Sequence, residues 1–200
     1  MDDPAVIWEV ASGTELAELT GHTAEVTSAN FSPNGRQIVT ASDDFTARIW
    51  DVASGKELTV LTGHEEKVTN ANFSPDGNQV VTASWDKKAR IWDVASGIEL
   101  ALLTGHENTV SSVNFSPDGN QIVTASEDMT TRIWDVVSGI ELAVLTGHEN
   151  AVHSANFSPD GNQVVTASTD NTARKCDNLS IEELIERAKQ RLLRHALPKA

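Results

Sequence analysis

Every 42 residues the chain repeats itself. Gly-His stands at 21–22, 63–64, 105–106 and 147–148. Ile-Trp-Asp-Val stands at 49–52, 91–94 and 133–136, with the variant Ile-Trp-Glu-Val at 7–10. The units 63–104 and 105–146 agree at 30 of 42 positions, close enough to imply recent duplication or design. A repeat of this length is one supersecondary unit that cannot bury both of its faces alone, so the copies must stack.

One unit reads as four short strands. EVTSANF (25–31) alternates polar and apolar residues. Ser32-Pro33-Asn34-Gly35 is a turn, and Gly35 is free to take positive φ. QIVTAS (37–42) is a second strand, and Asp43-Asp44 opens the next turn. TARIWDV (46–52) is a third strand, Ala53-Ser54-Gly55 turns the chain again, and ELTVLT (57–62) is a fourth. Turn signals about every ten residues mark an all-β chain. Residues 1–178 then divide into third and fourth strands alone over 5–20, repeats at 21–62, 63–104 and 105–146, and a partial copy at 147–177. Residues 179–200 form a C-terminal segment of different character.

These residues resemble the WD-repeat β-propeller family, named for its Trp-Asp pairs. The resemblance covers roughly residues 5–177 and implies a ring of four-stranded antiparallel blades around a channel. It also implies a hydrogen-bonded tetrad in each blade: a His before the innermost strand, a hydroxyl on the second strand, an Asp at the second turn and a Trp on the third strand. The matching positions are His22, Thr40, Asp44 and Trp50; His64, Thr82, Asp86 and Trp92; His106, Thr124, Asp128 and Trp134. Ser42, Ser84 and Ser126 are alternative carriers of the hydroxyl role.

The fourth copy keeps His148, Thr166 and Asp170 but has Cys176 at the Trp position and Lys175 where the others have Ile. Ile181 replaces the turn glycine of the other copies, so the outer strand is lost. Ser180 and Glu183 have capping-box spacing, and Ile181, Leu184, Ile185, Ala188 and Leu192 follow at helical spacing. A short helix is therefore predicted over 180–196, either covering exposed β edge or pairing with another helix. It resembles tails that follow the last blade in some bacterial members of the family.

AVIWEV (5–10) brings Trp8 to the tetrad position with no His, Thr or Asp of its own. The two ends are thus complementary, and joining them is expected to give one whole blade. That makes four blades' worth per chain. Family rings usually hold about seven, so the ends of one chain are not expected to meet. Two chains exchanging terminal strands are expected to form a homodimeric ring of eight blades. An open arc from a longer chain and a self-closed four-bladed ring are the alternatives.

Differences among the copies gather at four aligned sets: Glu25, Lys67, Thr109 and Ala151; Thr27, Thr69, Ser111 and His153; Asp43, Trp85, Glu127 and Thr169; Phe45, Lys87, Met129 and Asn171. In the family these positions lie on the top rim of the ring, where proteins and peptides dock. Asp43, Phe45, Lys67, Trp85, Lys87, Glu127, Met129, His153, Thr169 and Asn171 are the candidate partner-binding residues. Trp85 is the single tryptophan out of register. Turn positions also vary simply because nothing constrains them, which is the competing explanation.

A net charge of −14 argues against nucleic acid or anionic membrane as a partner, since both need a basic surface. The single cysteine gives no disulfide framework, and no leader or membrane-length apolar run is evident, so the expected compartment is the cytoplasm. Four of the six histidines recur once per blade, too far apart to share a metal. No catalytic carboxylate pair, activated nucleophile or phosphate-binding loop is evident. No cofactor is expected. The expected function is a non-catalytic scaffold binding a protein or peptide on its top rim; the alternative is a self-assembling propeller without a specific ligand.

Overall fold

The computed structural model describes residues 5–178. The helix expected over 180–196 lies outside the described residues. β1 (Ala5–Glu9) and β2 (Thr14–Leu19) form a two-stranded antiparallel hairpin. Three four-stranded sheets follow, each an antiparallel meander in chain order. The first contains β3 (Val26–Phe31), β4 (Gln37–Ser42), β5 (Thr46–Asp51) and β6 (Glu57–Thr62). The second contains β7 (Val68–Phe73), β8 (Gln79–Ser84), β9 (Lys88–Asp93) and β10 (Glu99–Thr104). The third contains β11 (Val110–Phe115), β12 (Gln121–Ser126), β13 (Thr131–Asp135) and β14 (Glu141–Leu145). The last sheet has three strands, β15 (Val152–Phe157), β16 (Gln163–Ser168) and β17 (Ala173–Asp177).

The sheets stack because their second strands are buried on both faces, one of them through apolar residues alone. Val39 and Ala41, Val81 and Ala83, and Val123 and Ala125 are wholly buried. Each apolar cluster joins consecutive sheets. Val39, Ala41, Ile49 and Leu61 pack with Val68, Ala71, Val80 and Trp92. Val81, Ile91 and Leu103 pack likewise with Val113, Ile122 and Trp134.

Polar side chains fix the spacing between sheets. A bulge in β3 sets Val26 opposite Ser42 and Ser28 opposite Ala41, leaving Thr27 outside the ladder. Thr27 Oγ1 donates to the Val68 carbonyl, and Thr69 Oγ1 to that of Val110, each at 2.6 Å. The amides of Asn30, Asn72 and Asn114 donate to the carbonyls of Ala71, Val113 and Ala155 at 2.9, 2.8 and 2.9 Å. These bonds satisfy polar groups that stacking removes from water.

The ends differ from the sequence reading in one respect. That reading joins them into one four-stranded blade, but the structure has five strands there. β17 pairs with β16 in the register of a third strand, with Cys176 opposite Val164 just as Trp50 is opposite Ile38. Lys175 and Cys176 do not prevent this, because the ladder is made by backbone groups that every residue carries. Among the described residues no apolar cluster joins the last sheet to the N-terminal hairpin, and Val165 on β16 stays 48% exposed, so the row of sheets is open at both ends.

Candidate functional site

In the first complete sheet Thr40, on β4, lies between an indole and an imidazole. Trp50 Nε1 donates to Thr40 Oγ1 at 2.8 Å, and His22 Nε2 lies 2.7 Å from the same oxygen. His22 Nδ1 is 2.8 Å from Asp44 Oδ2. A carboxylate only accepts, so the proton belongs on Nδ1, and the threonine hydroxyl donates to Nε2. The second sheet repeats the geometry with Trp92, Thr82, His64 and Asp86 at 2.9, 2.7 and 2.8 Å. The third repeats it with Trp134, Thr124, His106 and Asp128 at 2.9, 2.7 and 2.7 Å. Ser42 stands outside this chain of bonds, donating to the Ala24 carbonyl and accepting from the Asp44 amide.

The charge states follow from the surroundings. Burial lowers the pKa of His22 and His106, and their bonds to aspartate oppose it without prevailing. Burial opposes ionisation of Asp44, but bonds from Thr46, His22 and the Thr23 amide outweigh it and hold the carboxyl at about 2. Asp128 is held at about 2 in the same way by Thr130, the Glu107 amide and His106. These groups are neutral histidines on ionised aspartates, engaged in holding the turn to the strands.

The last sheet carries the same arrangement without its indole. His148 lies 2.7 Å from Asp170 and 2.8 Å from Thr166, and no tryptophan reaches the Thr166 hydroxyl. The bond from Thr172 comes first among the causes that hold the Asp170 carboxyl below its usual range. Trp8, the unmatched indole, is 57% exposed on β1.

The third and fourth variable sets sit at the turns joining second and third strands, and the first set stands just before the innermost strand. The backbone pairs two of the sets: the amides of Asp43, Trp85, Glu127 and Thr169 donate to the carbonyls of Glu25, Lys67, Thr109 and Ala151 at 2.9–3.0 Å. Between the first and second sheets Lys67 forms an ion pair with Asp43, and its Nζ lies 5.0 Å from the Trp85 ring centroid. The cation thus covers one side of an indole that is still 50% exposed. A shallow groove beside it is lined by Glu65, Glu66, Trp85, Lys87, Thr109 and Glu127.

The fourth variable set has a property the sequence did not disclose. Phe45, Lys87, Met129 and Asn171 have φ of 71°, 69°, 68° and 65°. This is the left-handed position of a three-residue hairpin, which glycine fills without strain. Asn171 tolerates it; a phenylalanine, lysine or methionine carries a penalty of roughly 1 kcal/mol or more. Phe45 and Met129 are also well exposed, so burial does not offset that penalty. Free variation is therefore a poor explanation at these four positions. Asn171, the one member of the set that favours a left-handed backbone, is the signal that alignment of the copies could have raised.

The second variable set belongs elsewhere. Thr27 and Thr69 are committed to the next sheet, and His153 holds their position on β15, exposed at the end of the row. Among the described residues no group of three metal-ligating side chains converges.

Comparison with family models gives four consecutive matches to the WD domain, G-beta repeat, at residues 13–51, 55–93, 97–135 and 139–177. No curated protein matches the chain.

Proposed function

Because the chain belongs to the WD domain, G-beta repeat family, whose repeats generally mediate protein–protein interaction, we propose that it is a non-catalytic scaffold that binds a peptide segment along the rim carrying Phe45, Trp85 and Met129. The observation that carries this reading is the row of large side chains held in left-handed turns, at a stability penalty, beside a half-exposed indole. Asp43, Lys67, Lys87, Glu127, Thr169 and Asn171 lie on the same turns and supply polar contacts around it. Glu65, Glu66 and Glu127 make the groove beside Trp85 acidic, which suits a segment with a basic residue next to an apolar one. His153 is left out of this surface, because it faces the end of the row.

A selection of short peptides on the intact protein tests the reading. Trp85→Ala should weaken the selected peptides at least tenfold, as truncation of a central aromatic anchor does. Peptides that bind Trp85→Ala as well as the parent would remove the site from this rim.

We further propose that two copies close an eight-bladed ring by supplying each other's missing strands, with the cytoplasm as compartment. The support is the matching deficit of the two ends: Trp8 without a tetrad, and a tetrad without its tryptophan.

A further inference from the structure

The contacts between consecutive sheets recur so regularly that the missing ones can be named. Asn30, Asn72 and Asn114 each reach the next sheet, whereas Asn156 turns back to its own Ser154 at 3.1 Å. A Cβ on Gly77, Gly119 or Gly161 would lie 3.6–3.7 Å from Pro33, Pro75 or Pro117 of the preceding sheet; one on Gly35 would meet nothing within 4 Å. Ala71, Val113 and Ala155 are wholly buried, but Ala29 is exposed. In the turns before the outer strands, a Cβ on Gly55, Gly97 or Gly139 would lie 2.6–3.5 Å from Ala17, Thr59 or Ala101, while one on Gly13 would meet nothing within 4 Å. Leu61 and Leu103 are fully buried, but their equivalent Leu145 is only partly covered.

These vacancies fall on two faces. One is formed by β1, β2 and β3, where a slot opens between Val6, Ile7, Trp8 and Ala29, Phe31. The other is formed by β14, β15 and β16, where Val165 is 48% exposed although Val39, Val81 and Val123 are wholly buried. Each face lacks what the other presents. His153, Asn156 and Pro159 stand where Thr69, Asn72 and Pro75 would reach Val110, Val113 and Gly119. The occupant that fits either face is the opposite end of the same sequence.

The two faces cannot meet while both end strands stay in place. β1 already holds the third-strand place beside the first complete sheet, packing Ile7 and Leu19 on Ile38 and Trp50. β17 holds the third-strand place beside β16. In a joined blade these are one place. The buried residues decide between them. Ile49, Ile91 and Ile133 and Trp50, Trp92 and Trp134 are buried in the complete sheets. β1 offers Ile7 and Trp8 at these positions; β17 offers Lys175 and Cys176. A lysine ammonium in an isoleucine site is heavily disfavoured. In favour of β17 stands Arg174, matching Arg48, Arg90 and Arg132, which pair with Glu57, Glu99 and Glu141. Those glutamates are about one-third exposed, and a pair of that kind contributes little.

Building on the two-copy reading above, we propose that β17 is a placeholder: on docking, β1 of each chain pairs with β16 of the second copy and expels its β17. The register carries over from the β16–β17 ladder. Trp8 falls opposite Val164, Ile7 opposite Val165 and Ala5 opposite Ala167, and the Trp8 indole donates to the Thr166 hydroxyl of the second copy. Docking thereby releases residues 173–178 from the sheet.

Two competing cysteine pairs test this, each introduced into the full chain carrying Cys176→Ser. Ala167 faces Ala173 in the β16–β17 ladder, and faces Ala5 of the other copy after exchange. Ala5→Cys with Ala167→Cys should oxidise to a band of two covalently joined chains. Ala173→Cys with Ala167→Cys should stay reduced. In the otherwise unaltered chain, Cys176 should react with a thiol reagent at least tenfold faster in the two-copy state than after dilution to single copies, because release exposes it. A two-copy mass with an efficient 167–173 bridge and slow Cys176 labelling would overturn the exchange while leaving the ring. A one-copy mass at high protein concentration would overturn both.

Discussion

β12 and β16 have nearly the same sequence, QIVTAS and QVVTAS, but opposite surroundings. In β12 all five residues after Gln121 are buried. In β16 burial alternates, with Val165 and Ala167 open. Both strands pair in the same register with their neighbours, so the backbone does not distinguish them. The difference is the presence of a following sheet. In this fold a blade is completed by its neighbour, and an apolar strand face is an unfilled interface until one arrives.

The largest effect expected from this contrast is at the tetrad tryptophans. Trp92→Ala removes a buried indole and leaves the Thr82 hydroxyl without its donor, a loss of about 3–5 kcal/mol measurable by urea unfolding. Trp8→Ala should leave the stability of single copies nearly unchanged, because its indole is exposed there, and should instead weaken the two-copy state. Equal stability losses in the two variants would abolish the distinction between inner and end sheets.

Giving the end strand the residues of an inner one sharpens the comparison. Lys175→Ile with Cys176→Trp restores the side chains that β9 and β13 carry and gives Thr166 its donor. β17 should then stay in place, and the mass in solution should fall to one copy. A doubled variant that remains a dimer would show that these two positions do not choose the strand.

A smaller effect is expected at the hydroxyls. Thr124→Val leaves the Trp134 N–H and the His106 ring nitrogen without a partner, a loss of about 2 kcal/mol in thermal or urea unfolding. Thr166→Val leaves only a histidine nitrogen, so about half that loss is expected in single copies.

Acid should act on the tetrads in two stages. The folded pKa values of His22 and His106 are lowered, so below pH 6.5 the unfolded chain takes up protons that the folded chain does not. Stability therefore falls as pH drops through 6.5 toward the folded values. Asp44 and Asp128 add a second loss between 3.8 and about 2, where the unfolded carboxylates protonate first. Urea midpoints at pH 8, 5.5 and 3.5 should decrease in that order; a flat profile would mean that the histidines are not held neutral.

The smallest effect is at the rim. Phe45→Gly should raise stability by about 1 kcal/mol by relieving a left-handed backbone, and Asn171→Gly should change it by only a few tenths. A loss of stability in Phe45→Gly would mean that its ring packs usefully in the unbound protein.

Most of the fold was legible because it is local. Strands, turns and tetrad residues recur within each 42-residue unit, and a His, a Thr, an Asp and a Trp at fixed spacing meet wherever the four-stranded meander forms. Three things were not legible in this way. Thr27 and Thr69 read as variable rim positions, but a bulge turns them to the next sheet. The turn at Phe45, Lys87 and Met129 demands a left-handed residue, which those side chains conceal and only Asn171 hints at. The survival of β17 depended on a backbone ladder that tolerates Lys175 and Cys176 as long as nothing must pack over them.

The most direct test of the account is the mass of the unaltered chain in solution, by size exclusion with light scattering across a range of concentrations. The account predicts twice 21.5 kDa, falling toward 21.5 kDa on dilution and at higher concentration in Trp8→Ala than in the parent. A value of 21.5 kDa throughout would contradict it, leaving the slot beside β3 and the open face of β16 without a second copy to fill them.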